Sequence, residues 1–95
     1  MTRLLQVSDI RFAPANVALQ SKGLLGWVNF SLDGKFQLNC VALRRTAAGE
    51  FALSFPSRTD ANGIMHPFYR PLSNDVRREV LAHVIEALRA RGVLP

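Results

Sequence analysis

The stretch that decides the fold is residues 26–43, "GWVNFSLDGKFQLNCVAL". It contains two runs of alternating apolar and polar residues on either side of the dipeptide Asp33-Gly34. Asp-Gly between such runs is a strong β-hairpin signal, because a type I′ turn needs positive φ at both central positions. We therefore expect two antiparallel strands joined by a tight turn. The residues of the first strand that this pattern directs toward a core are Val28, Phe30 and Leu32.

The second strand of this hairpin continues the alternation without a visible break. Period-two patterning gives it an inward set and an outward set, namely Phe36, Leu38 and Cys40 against Gln37, Asn39 and Val41. We expect Cys40 to be a small buried hydrophobe on the inward face. The outward face is half apolar, and such a face meets either water or a second copy of the chain. Trp27 and Val41 are accordingly the candidate residues of a dimer interface.

The flanking segments predict further strands and one helix. A first strand is expected at about residues 4–12, a loop at 13–23, and two more strands at 51–58 and 64–69, separated by Asn62-Gly63. The last segment changes to helical spacing. A helix is expected to begin at Ser73 or Asn74, to carry Asp75 in its first turn and to end before Gly92. Its apolar positions are Val76, Val80, Leu81, Val84, Ile85 and Leu88.

This order of elements predicts an α+β domain spanning residues 1–95. It is an antiparallel meander of about five strands, followed by one C-terminal amphipathic helix that packs on one face of the sheet. No stretch reaches the length needed to cross a bilayer, and the N-terminal apolar stretch is too short for a signal peptide. The expected location is the cytoplasm, without membrane association.

The composition is compatible with a nucleic-acid partner. The chain of 95 residues carries a formal net charge of +5, and its only lysines are Lys22 and Lys35, so the basic excess is almost all arginine. A guanidinium group grips phosphate bidentately and stacks on bases, whereas an ammonium group acts as a point charge. A small arginine-rich domain is therefore compatible with DNA or RNA binding.

Catalytic and metal sites find little support in the sequence. Ser57, Asp60 and His66 include the residue types of a hydrolase triad, but Ser57 lies in no Gly-x-Ser-x-Gly elbow. His66 and His83 show no metal-ligand spacing, and the single cysteine cannot form a disulfide within the chain. We expect no enzymatic activity, no metal and no cofactor.

Four arginines near one loop-helix junction are the candidate nucleic-acid contacts. They are Arg58 at the end of a predicted strand, Arg70 before Pro71, and Arg77 and Arg78 in the first helical turns. A cation near a helix N-terminus opposes the helix dipole. Arg77 is such a cation, and it also falls within the apolar arc of the helix. The sequence shows no compensation for either unfavourable feature.

The motifs and their order resemble those of the stage V sporulation protein G (SpoVG) family. The similar segments are "VSDIRF" at 7–12, "SLDGKFQLNCVALRR" at 31–45, "EFALSFPSR" at 50–58 and "RPLSNDVRREVLAHVIEAL" at 70–88. The resemblance implies a small cytoplasmic bacterial protein with a sheet-plus-helix fold, usually dimeric and not an enzyme. It implies a regulator of sporulation, septum formation, virulence or metabolism, with direct binding of DNA and RNA in several members.

The basic residues that the family associates with nucleic acid fall on Arg58, Arg77 and Arg78. The sequence departs from the family pattern at Thr59, which replaces a second basic residue, and at Arg70, which stands where the family has a histidine before proline. The loop before the hairpin also looks longer than is usual. A second hypothesis stays open, in which the protein is an interaction adaptor with protein partners in septation or transcription and no contact with nucleic acid.

Overall fold

A computed structural model describes residues 5–94. Its order is β1 (Val7–Pro14), α1 (Val17–Ser21), β2 (Leu24–Leu32), β3 (Phe36–Arg45), β4 (Phe51–Ser54), β5 (Ser57–Thr59), β6 (Met65–Pro67) and α2 (Asn74–Ala90). The first four strands form an antiparallel sheet in the order β1-β2-β3-β4, and β5 pairs with β6 in a separate two-stranded sheet. The α+β class, the meander and the terminal helix are thus confirmed.

Three boundaries differ from the sequence prediction. The predicted fourth strand is divided into β4 and β5, with Phe55-Pro56 between them. The predicted loop at 13–23 contains the five-residue helix α1, capped by the Asn16 side chain, which accepts the Leu19 N–H at 2.9 Å. The predicted first strand began at residue 4, which lies outside the described residues.

Helix α2 begins and ends where its capping residues predict. Ser73 is the N-cap, and its hydroxyl oxygen accepts the Val76 N–H at 3.2 Å. Gly92 lies just past the end with φ of 76°, a conformation that glycine adopts without a steric penalty. The inner face of the helix packs on one face of the sheet. The helix residues in this core are Val80, Val84, Ile85 and Leu88, and the sheet supplies Ile10, Val28, Phe30, Val41, Leu43 and Leu53.

A β-bulge in β3 reverses the predicted faces of that strand from Cys40 onward. Phe30 is paired with Leu38 and Val28 with Val41, so one more residue lies on β3 than on β2 between these pairs. Cys40 adopts φ of 63° at this point, and its N–H donates to the Asn29 side-chain oxygen at 2.9 Å. An extra residue changes which side chains face inward beyond it, because side chains alternate with a period of two.

Two predictions for β3 are wrong for this reason. Cys40 is exposed rather than buried. Val41 is fully buried in the core, with 0% of its surface exposed, rather than on the outward face. Val41 therefore cannot form a dimer interface without unfolding of the core, and it is removed from the candidate interface residues.

Replacement of Cys40 by glycine tests the bulge. A non-glycine residue in the left-handed region is disfavoured by roughly 1–2 kcal/mol, and the exposed thiol makes no core contact that would be lost. We expect Cys40→Gly to raise the free energy of unfolding by up to about 1 kcal/mol, measured by urea denaturation. The matched control is Gln37→Gly on the same strand, where φ is not positive; it is expected to lower stability by about 0.5–1 kcal/mol. Equal destabilisation by both substitutions would contradict the bulge.

Candidate nucleic-acid interface

Phe55 and Tyr69 form an aromatic pair beside the candidate residues Arg70 and Arg77. Phe55 follows β4, and Tyr69 follows β6; their rings meet edge to face with centroids 5.9 Å apart. The Tyr69 hydroxyl also donates to the backbone oxygen of Asn39 at 2.6 Å. These contacts hold the chain that leaves β6 against β3 and so fix the approach to helix α2. The sequence signal for this pair is the presence of two aromatic residues on either side of the Asn62-Gly63 hairpin. The sequence prediction did not use it.

Arg77 is held by partners within the chain. Its guanidinium lies 5.7 Å from the centroid of the Phe55 ring, within the range of a cation–π interaction. One of its terminal nitrogens donates to the backbone oxygen of Leu53 at 3.3 Å. These two contacts account for a cation in the first turns of a helix, where the dipole alone disfavours it. Arg77 ties the start of α2 to the end of β4.

Arg78 is paired on the same helix. Its guanidinium donates to the Asp75 carboxylate one turn earlier, and both side chains are largely exposed to water. An exposed pair of this kind contributes little to stability, commonly below about 1 kcal/mol. Its consequence here is electrostatic, because Asp75 offsets part of the positive charge that Arg78 presents.

Arg58 and Arg70 are the unpaired members of the predicted set. Both side chains are exposed, and within residues 5–94 neither makes a hydrogen bond or an ion pair. Arg58 lies in β5 opposite His66, three residues beyond Phe55. Arg70 directly follows Tyr69 and lines a surface depression together with Phe55. Of the four predicted arginines, the structure thus pairs Arg77 and Arg78 and leaves Arg58 and Arg70 unpaired within residues 5–94.

The residues that resembled a catalytic triad organise a hairpin turn. Asp60 accepts the N–H groups of Asn62 and Ile64 at 2.8 and 3.0 Å, and its carboxylate lies 2.7 Å from the His66 Nε2. Ser57 is in register with Pro67, one position away from His66, so the two side chains point to opposite sides of the ribbon. No hydrogen bond joins Ser57 to His66, and the three residues do not form a nucleophile-base pair.

The contacts of Asp60 favour its charged form. The His66 hydrogen bond lowers the pKa of Asp60 below its ordinary value of 3.8, the backbone N–H groups of Ile64 and Asn62 lower it further, and partial burial opposes them. A group whose pKa is lower in the folded protein contributes stability above its unfolded pKa. That stability is lost as the pH falls through the folded value.

The turn is therefore expected to open in acid. The amide signals of Asn62 and Ile64 should titrate together in NMR spectra, with a midpoint below 3.8, as Asp60 takes up a proton. In Asp60→Asn this titration should be absent. Asp75→Asn removes an exposed carboxylate that is not in the turn, so it should leave the titration of both amides unchanged. A midpoint at or above 3.8 in the unsubstituted protein would contradict this account.

Trp27 lies on the face of the sheet opposite the helix, as predicted. It is in register with Ala13 on one neighbouring strand and with Ala42 on the other, and 37% of its surface is exposed. Small neighbours on both sides leave the indole as the largest side chain of this row. Of the two residues predicted for a dimer interface, Trp27 alone is accessible.

Two comparisons with known proteins, by family model and by curated sequence, found no match at a significant level. The resemblance to the SpoVG family therefore rests on the sequence motifs. Within the described residues, no three His, Cys, Asp or Glu side chains are grouped as metal ligands. In the same part of the chain, no helix is long and apolar enough to cross a membrane.

Proposed function

We propose that this protein is a cytoplasmic, homodimeric nucleic-acid-binding regulator of the SpoVG type, which influences septation, development or gene expression. The observation that carries the proposal is the pair of exposed arginines, Arg58 and Arg70, that have no partner within residues 5–94. They stand in a domain with a net charge of +5. A guanidinium without an internal partner retains all of its donors for a phosphate.

The four arginines take different roles in this proposal. Arg58 in β5 and Arg70, three residues beyond β6, contact the phosphates of DNA or RNA. Arg77 positions the start of the helix, because its guanidinium donates to the Leu53 backbone oxygen and contacts the Phe55 ring. Arg78 adds a weaker attraction, since Asp75 offsets its charge. Phosphate contacts of this type give affinity without reading the base sequence.

The pair Arg58→Gln with Arg70→Gln tests the phosphate contacts. Each phosphate contact adds about 0.9 to the slope of log affinity against log salt on duplex DNA and about 0.7 on single strands. The double variant is expected to bind more weakly and to lose about two such units of slope in gel-shift titrations at several salt concentrations.

The matched control for this test is Arg11→Gln. Arg11 is exposed and in register with Asn29 on the outward face of the sheet, so the substitution removes one charge away from the hairpin, and light scattering on the same sample checks that the dimer is retained. It should change the slope far less than either single substitution at the hairpin. Unchanged binding by the double variant, or an equal loss in Arg11→Gln, would overturn the assignment.

Exposed apolar side chains favour the alternative proposal of a protein-interaction adaptor. Ile64, Met65 and Phe68 lie on or beside the β5–β6 hairpin, and more than half of each side chain is exposed. A contiguous apolar surface of this kind often marks a protein contact. A protein partner that is captured with equal yield after nuclease treatment, and lost in Met65→Ser, would favour the adaptor over the nucleic-acid regulator.

Homodimerisation through the outward face of the sheet is the second part of the proposal. Light scattering at micromolar concentration should give the mass of two chains, and Trp27→Ala should lower it, because the indole is the largest exposed group of that face. Phe68→Ala removes an exposed aromatic ring elsewhere and should leave the mass unchanged. A monomeric mass for the unsubstituted protein would refute the dimer.

A further inference from the structure

An apolar depression opens beside the start of helix α2. It has a volume of about 460 Å³ and lies between the β2–β3 hairpin, the segment 69–72 and the first half of the helix. Its lining includes the core residues Phe30 and Val80, which are 1% and 5% exposed. Its lining also includes Phe36 and Leu72, which are 69% and 88% exposed. The depression therefore leads from solvent to the hydrophobic core.

The lining is almost entirely hydrocarbon. Ten of the thirteen lining residues are Leu, Phe, Val or Pro, and the other three are Gln37, Tyr69 and Arg70. The Tyr69 hydroxyl is committed to the Asn39 backbone oxygen, and the Gln37 amide donates to the Asn39 side chain at 3.0 Å. Among residues 5–94, Arg70 is thus the only charged residue of the lining, and its guanidinium has no partner there.

We propose that this depression binds an amphipathic carboxylate, a molecule with an apolar body and a single anionic head. The body occupies the hydrocarbon-lined space, and the head is bound by Arg70. The volume is within the range of ligand pockets, about 300–1,000 Å³. Coverage of Phe36 and Leu72 removes apolar surface from water, and the planar guanidinium matches a carboxylate with two parallel hydrogen bonds.

The lining also argues against a nucleobase as the occupant. A base carries several hydrogen-bonding groups on its edges, and each buried group without a partner costs free energy. Among residues 5–94, Gln37 is the only side-chain amide in the lining, and one of its N–H groups already donates to Asn39. A hydrocarbon body makes no such demand. Charge complementarity then selects an anionic head, because no carboxylate within residues 5–94 pairs with Arg70.

This inference does not depend on nucleic-acid binding, although both proposals use Arg70. The probe is decanoate, added below its micelle concentration to the purified full chain without nucleic acid and followed by NMR. We expect saturable shifts at Phe36, Leu38 and Val76, which line the depression. Decanol, which has a similar chain and no charge, should bind more weakly. Failure of this titration leaves the gel-shift result untouched, so the two proposals fail separately.

Two substitutions at the depression complete the test. Arg70→Gln should weaken decanoate binding about tenfold and leave decanol binding unchanged, because only the charge-assisted contact is lost. Leu72→Glu places a negative charge on a residue that is 88% exposed, where folding tolerates it, and should also weaken decanoate binding. Arg58→Gln is the matched control, an exposed unpaired arginine that does not line the depression, and it should change nothing.

Several outcomes would overturn the proposal. They are the absence of saturable shifts, shifts centred outside the depression, equal binding of decanoate and decanol, and an equal loss in Arg58→Gln and Arg70→Gln. A further one is a dimer in which a second copy covers the depression and excludes decanoate. A dimer mass in light scattering that falls in Leu72→Glu and not in Trp27→Ala identifies that case.

Discussion

The hydrogen bond from the Cys40 N–H to the Asn29 side chain is the interaction on which the other features depend. It stabilises the extra residue of β3, and that residue sets which side chains of the strand face the helix. Val41 and Leu43 enter the core as a result, with 0% of either exposed. A second irregularity lies in β1 opposite the same part of β2, where Asp9 has φ of 51°. Strand β2 is thus flanked by a bulge on each side, and bulges increase the local twist of a sheet.

The same bulge also positions residues of the candidate site. Asn39 lies in the bulge, and its backbone oxygen accepts the Tyr69 hydroxyl, while its side chain accepts the Gln37 amide. Tyr69 in turn positions the following residue, Arg70, and packs against the Phe55 ring that Arg77 also contacts. One irregular residue pair in β3 is therefore linked through two aromatic rings to both arginines. The core and the site share a structural origin even though they lie on different parts of the chain.

The local signals of the sequence were sufficient for most elements and insufficient for the bulge. A turn dipeptide and a helix cap act over a few residues, so Asp33-Gly34 and Ser73 could be assigned from their neighbours alone. The alternation of β3 continues through Cys40 without interruption, and a small polarisable side chain such as cysteine suits either face. What distinguishes the two registers is the burial of Val41 and Leu43 under α2, a contact between distant segments. The same limit applied to the arginines: the Asp75 partner of Arg78 is local, whereas the Leu53 and Phe55 partners of Arg77 come from another strand.

Arg70 takes part in both proposed interactions, with a phosphate of nucleic acid and with an amphipathic carboxylate. A guanidinium that holds a carboxylate head with two of its five N–H groups has its charge offset by that head, so it attracts a phosphate less strongly. Binding of an amphipathic acid would then lower affinity for nucleic acid, and by thermodynamic reciprocity nucleic acid would lower affinity for the acid to the same extent. Arg58 lies outside the depression and keeps its charge in both states. The coupling between the two ligands would thus be partial, and its size would depend on the share of phosphate binding that Arg70 supplies. The β5–β6 hairpin would remain a basic surface whether the depression is filled or empty.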